Sequence, residues 1–149
     1  MLLRKTTAAY LAGYFDADGC VSVSLNKSTL SVKVSISGRN APLCQRLELL
    51  FEGSQDTSPT GTLTWYAYSD AARAFLMEMQ YHVQYKEKQV SLALMVLNTE
   101  ESPTKRLRAA YAICKLNQAN LAEPQVTKTM GRIVAALKGL GVEVVIDED

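Results

Sequence analysis

Residues 10–20, YLAGYFDADGC, set two acids and two glycines at the end of an otherwise apolar run. Ala9, Gly13 and Ala17 recur four apart. That spacing lines small side chains along one helical face and lets another backbone come close. Thr6 or Thr7 is suited to cap such a helix, which should run to about Asp16 or Ala17 before Gly19 breaks it. From Val21 onward the period changes to strict alternation, so Asp16 and Asp18 stand at a passage from helix into strand.

Outward from this junction, Val21, Val23 and Leu25 alternate with Ser22, Ser24 and Asn26. After an NKST turn holding Lys27 and Ser28, Leu30, Val32, Val34 and Ile36 alternate with Ser31, Lys33, Ser35 and Ser37. This predicts a hairpin with one buried and one solvated face. Asn40 and Pro42 open a second helix that Gly53 stops, with Leu43, Leu47, Leu50 and Phe51 as its apolar stripe. A second hairpin turns at Pro59 and Gly61, with Leu63, Trp65 and Ala67 on one face, and Asp70 is placed to cap a third helix. Beyond Tyr81 the pattern is helical. One helix covers KEKQVSLALMVLN, another opens at Ser102 and Pro103 and runs to about Asn120, and a last one runs from about Thr127 to Lys138.

The expected fold class is therefore α+β, with an α-β-β-α-β-β-α core, a four-stranded antiparallel sheet and extra C-terminal helices. The 149 residues, 48% of them apolar and 21% charged, fit one domain over 1–149, its C-terminal helices over about 103–140 and a tail over 141–149. The tail segment VEVVI reads equally as a short strand or a partner-binding arm. The longest apolar runs are too short for a membrane span, and no secretory signal is expected. Cys20, Cys44 and Cys114 are odd in number and widely spaced, which suits reduced, mostly buried thiols. An intracellular setting follows, in cytoplasm, nucleoid or organelle. The net charge of +1 includes an acidic end, Asp147 to Asp149, so the rest of the chain is mildly basic and compatible with a phosphate partner.

Helices on the apolar side leave the other sheet face carrying Ser22, Ser24, Asn26, Lys33, Ser35, Ser37, Gln55, Thr57, Thr62, Thr64 and Tyr66. Such a face is either plain solvated surface or a saddle whose hydroxyls and amides reach base edges in a major groove. Lys27, Ser28 and Arg39 lie beside it, and Lys105, Arg106, Arg108, Lys128 and Arg132 are candidate phosphate contacts on the later helices. Two-fold pairing through Ala9, Ala12, Gly13 and Asp16 would bring two copies of Asp18 together. Crowded carboxylates repel unless a cation lies between them, and oxygen ligands with open water positions suit Mg²⁺. His82, the only histidine, has no neighbour in sequence to share a metal. The tyrosines and Trp65 read as packing residues.

The nine residues LAGYFDADG resemble the signature of the LAGLIDADG homing endonucleases, departing from it only at Tyr14 and Phe15. YKEKQVSLALMVL is similar to that family's lysine-bearing segment, and ESPTKRLRAAYAICKLNQAN to the C-terminal helix of its single-motif members. There is no second signature. The resemblance covers most of the chain and implies a homodimer that pairs through the signature helices and cuts both strands of a long pseudo-palindromic DNA target. By the same resemblance Asp18 is the catalytic metal ligand, the Ala17 carbonyl adds a ligand, Asp16 is structural, and Lys86 is the basic residue near the scissile phosphate. The family often carries a solvent-organising glutamine near the end of the second strand. Here Ser37 or Gly38, followed by Arg39, occupies that place. Some relatives of the fold are RNA-splicing maturases or bind DNA without cutting, which is the alternative reading and the only one with an RNA partner.

Overall fold

The structure is a computed structural model that describes residues 4–119, 121–123 and 125–144. Helix α1 (Lys5–Asp18) leads directly into strand β1 (Gly19–Asn26), which pairs with β2 (Thr29–Gly38). Helix α2 (Ala41–Phe51), strands β3 (Ser54–Thr57) and β4 (Leu63–Tyr68) and helix α3 (Ser69–Met79) complete the core. Helices α4 (Glu87–Leu97), α5 (Pro103–Asn117) and α6 (Lys128–Gly139) follow. The four strands form one antiparallel sheet in the order β1-β2-β4-β3. This is the α+β arrangement expected from the sequence. No helix among the described residues is long and apolar enough to cross a membrane.

Alternation decides which sheet face is covered. Val21, Leu25, Val32, Val34, Ile36, Trp65 and Ala67 are buried under the helices. α1 contributes Ala8, Leu11, Ala12 and Phe15 from one side of its turn. Four aromatic rings knit these layers: Phe75 meets Phe15 edge-on at 5.1 Å, Phe51 at 5.3 Å and Trp65 at 5.1 Å. The Trp65 indole N–H donates to the Glu52 carbonyl at 2.8 Å, so the ring is buried with its polar atom satisfied.

The helix starts obey different rules. Asn40 accepts from the Leu43 N–H, Ser102 from Lys105 and Thr127 from Met130, each the cap that its residue type suggests. The cap of α1, however, is Arg4 with no side-chain bond, and Thr6 and Thr7 lie inside the helix. Likewise Tyr68, not Asp70, precedes α3, and Asp70 instead puts its charge in the first turn, where the helix dipole favours it. α5 ends at Asn117, short of Asn120. Of the tail, residues 142–144 form no strand and 145–149 lie outside the described residues.

β1 is an edge strand, and an unpaired edge invites unwanted pairing. Here the later helices cover it. Asn117 of α5 donates to the Val21 carbonyl at 2.7 Å, and Arg132 of α6 donates to the Leu25 carbonyl at 3.3 Å. The three cysteines divide: Cys44 is buried, Cys114 half-buried and Cys20 exposed, so the expectation of buried thiols fails at Cys20. Burial pushes the Cys44 and Cys114 thiols above their ordinary range.

Gly19 is at once the cap of α1 and the first residue of β1. A Cβ there would run into the ring and carbonyl of Phe15. At Gly13 a Cβ would meet nothing within 4 Å. Gly19→Ala should therefore destabilise the protein by about 1–3 kcal/mol in a denaturant titration. Gly13→Ala should stabilise the isolated subunit by roughly 0.5–1 kcal/mol.

Candidate nucleic-acid interface and metal centre

The end of α1 assembles the site because the helix stops where the strand begins. Asp16 is half-buried and its carboxylate accepts three backbone N–H bonds, from Gln84 at 2.8 Å and from Tyr85 and Lys86 at 3.0 Å each. The acid thus anchors the segment that carries Lys86 to the N-terminus of α4. Steadying of a helix end was the expected role of Asp16; what it holds is the loop seventy residues onward. Asp18, two residues beyond, is exposed. The Ala17 carbonyl has no partner four residues on within the helix, since Val21 already belongs to β1.

Asp18 borders a pocket of about 250 Å³ together with Tyr14, Ser37, Gly38, Arg39 and Asn40. The Asn40 amide donates to the Tyr14 hydroxyl at 3.1 Å, fixing one wall. Hydrogen bonding to Tyr14 also raises the Tyr10 phenol above its ordinary value. At the position of the missing glutamine, the Ser37 hydroxyl bonds to Thr64 at 2.9 Å, Gly38 has no side chain, and Arg39 is exposed. Of the three, Arg39 is the one whose side chain makes no hydrogen bond among the described residues.

No group of three or more His, Cys, Asp or Glu stands together among the described residues. The described residues of one chain therefore do not build a complete protein cage for a metal. Mg²⁺ is commonly held by one or two carboxylates, with phosphate oxygens and water completing its octahedron. An exposed carboxylate next to a free carbonyl, Asp18 with Ala17, fits that mode.

The strand register sorts the sheet faces residue by residue. Ser22 pairs with Lys33, Ser35 with Cys20 and Tyr66, Ser37 with Thr64, and Ser24 with Ser31. These side chains share the uncovered face with Asn26 and Thr29. Gln55 and Thr57 do not. They pair with Trp65 and Leu63, which places them on the helix side, where the Gln55 amide donates to Glu48 of α2. Ser54 and Asp56 take their places on the uncovered face, opposite Tyr66 and Thr64. All four residues of β3 are exposed, so no apolar rhythm in SQDT marks its phase. Continuing the alternation would have added Cys20 and Tyr68, and Tyr68 is 48% exposed. Lys27, Ser28 and Thr62 lie in the connections between strands, Lys27 at φ +57° in the tight turn.

The remaining expectations separate as well. Ala12 is fully buried in the core, so it is not available to a partner, whereas Ala9, Gly13 and Ala17 form an exposed stripe. Arg106 donates to the Val96 carbonyl at 2.8 Å, Lys105 pairs with Glu101 at 3.7 Å, and Arg132 is held by β1. Lys27, Arg39, Arg108 and Lys128 are exposed. Trp65 packs as expected, but Tyr81 and Tyr85 are 79% and 84% exposed beside the Lys86 segment.

A family model described as a LAGLIDADG-like domain matches residues 5–54. No curated protein sequence matches the chain. Among solved structures, the homing endonuclease I-CvuI in complex with its target, in the presence of calcium, is similar, with a TM-score of 0.69 and 19% identity over 93% of this chain and 97% of that one. The archaeal intron-encoded homing endonuclease I-Vdi141I, complexed with DNA, gives 0.65 and 16% over 91% and 97%. I-SmaMI, bound to uncleaved DNA with calcium, gives 0.65 and 17% over 88% of this chain and 48% of its own, so the chain spans about half of that protein. Residues 5–54 thus match the model of a LAGLIDADG-like domain, and over about nine-tenths of its length the chain shares its fold with these homing endonuclease structures.

Proposed function

We propose that the chain is a site-specific DNA endonuclease that acts as a homodimer and hydrolyses one phosphodiester in each strand with a divalent cation, Mg²⁺ by its ligand chemistry. The observation that carries this reading is the junction itself. An exposed Asp18 and a free Ala17 carbonyl stand at the end of a helix whose outer stripe is small, next to a lysine segment anchored by Asp16. Structures with this fold that are complexed with DNA in the presence of calcium support the same reading.

In that role the Asp18 carboxylate and the Ala17 carbonyl would hold the cation, each subunit supplying both groups. A bound divalent cation supplies charge neutralisation at phosphoryl oxygens and an activated water. Asp16 acts at a distance, through the backbone of residues 84–86, and sets where Lys86 begins α4. The Lys86 ammonium then offsets charge that grows on the phosphate in the transition state. The uncovered sheet face lies along the major groove, and of the candidate phosphate contacts Lys27, Arg39, Arg108 and Lys128 are exposed and unengaged among the described residues. Packing of Ala9, Gly13 and Ala17 against their own copies would bring two such sites to one axis.

A second reading, nucleic-acid binding without cleavage, draws on one observation: Ser37 is already bonded to Thr64 and Gly38 has no side chain where a solvent-organising amide would stand. Cleavage of a randomised duplex library decides between them. Discrete double-strand cuts are expected with Mg²⁺, and none with EDTA. Asp18→Asn should lower the cutting rate by roughly a hundredfold or more while DNA binding persists. Binding by the unaltered protein with no cuts in any divalent cation would establish the second reading.

Sedimentation with bound DNA should show two chains per duplex. Gly13→Ala should shift that equilibrium towards monomer even as it stabilises the subunit, an opposition that a purely solvent-facing glycine would not produce. Asp16→Ala should cost about 1–3 kcal/mol of stability. It should also reduce cutting more than binding, because it frees the Lys86 segment without touching the metal ligands.

A further inference from the structure

The four strands carry one cation, Lys33, and one anion, Asp56. Lys33 sits within β2, inside the sheet, with Ser22 across from it on β1 and Tyr68 on β4. Its ammonium lies 4.9 Å from the centre of the Tyr66 ring and 5.8 Å from that of Tyr68. The two rings meet each other edge-on at 6.0 Å, an 80° corner. No carboxylate pairs with Lys33 among the described residues. A lysine in open solvent samples many rotamers, but this one is drawn by the two ring faces towards β4 and held at a set place on the uncovered face.

We infer that Lys33 reads a guanine in each half-site of the DNA target, an assignment that rests on the DNA-binding role proposed above. The donor chemistry singles it out. The serine and threonine hydroxyls around it both donate and accept, so they tolerate several bases. An ammonium only donates. Guanine offers an ammonium two adjacent acceptors, N7 and O6, and no donor; thymine offers one acceptor, O4, beside a methyl group, and adenine and cytosine each present an amino group that would oppose the lysine. Placement supports a base contact over a phosphate contact. Lys33 is mid-strand on an interior strand of the sheet, while Lys27 and Arg39, at the strand ends, are positioned for the backbone.

The test begins with the intact chain and a randomised duplex library, from which the preferred target is selected and then varied one base pair at a time. One symmetry-related position per half-site should prefer guanine by about five- to a hundredfold. Lys33→Gln should abolish or redirect that preference at this position alone, and Lys33→Arg, a bidentate guanine donor, should retain it. Replacing both rings, Tyr66→Leu with Tyr68→Leu, should blunt it. Thermal melts of each variant show that the fold is kept, and the Lys33→Arg result stands even where Lys33→Gln fails to fold. Loss spread evenly over all positions in Lys33→Gln, with a shallower dependence on salt, would make Lys33 a phosphate contact and overturn the assignment. So would a profile unchanged at every position. Lack of any sequence-selective binding by the folded wild-type chain would instead overturn the DNA-binding role itself, and this assignment with it.

Discussion

The passage from α1 into β1 without a connecting residue is the constraint on which the molecule depends. Gly19 ends the helix and begins the strand, and it lies too close to Phe15 for any side chain. Phe15 in turn is buried against Phe75, the ring that also meets Phe51 and Trp65. Because the turn has no slack, the positions of Asp16 and Asp18 follow from core packing. A carboxylate on a free loop would wander; these two move only if the aromatic cluster moves.

The same junction divides labour between two acids that differ little in sequence. Asp16 faces back into the protein and spends its acceptor capacity on three backbone donors. Asp18, two residues on, is exposed and borders the pocket with Tyr14 and Arg39. The separation arises from geometry: residues two apart on a helix point in directions about 200° apart. One acid orders the polypeptide so that the other can stay open to solvent.

Much of this was legible in the residues because period carries so much information. The switch at Gly19 from a spacing of four to a spacing of two located the helix–strand junction, and the alternation through Val21–Ile36 set the buried face of the first hairpin. Caps of Asn40, Ser102 and Thr127 were readable from local hydrogen-bonding chemistry. The failures have a shared cause. β3 is short and exposed on both faces, so its phase is set only by pairing with β4, and Gln55 and Thr57 could not be placed without that register. Ala12 looked like its neighbours in the small-residue stripe, but one helical step turns it from the surface into the core. Arg106 and Arg132 resembled solvent cations, and only tertiary contacts show that backbone carbonyls claim them.

The alternation of the sheet has a consequence for how such a protein can change over generations. Every second residue along β1, β2 and β4 belongs to the aromatic and aliphatic core, and substitution there costs stability. The intervening residues touch mainly one another, through pairs such as Ser37 with Thr64 and Lys33 with Tyr66, and their replacement leaves the core untouched. Two selective pressures therefore act on interleaved positions with little conflict. A lineage can drift across new chemical surfaces on one side of the sheet while the other side preserves the fold.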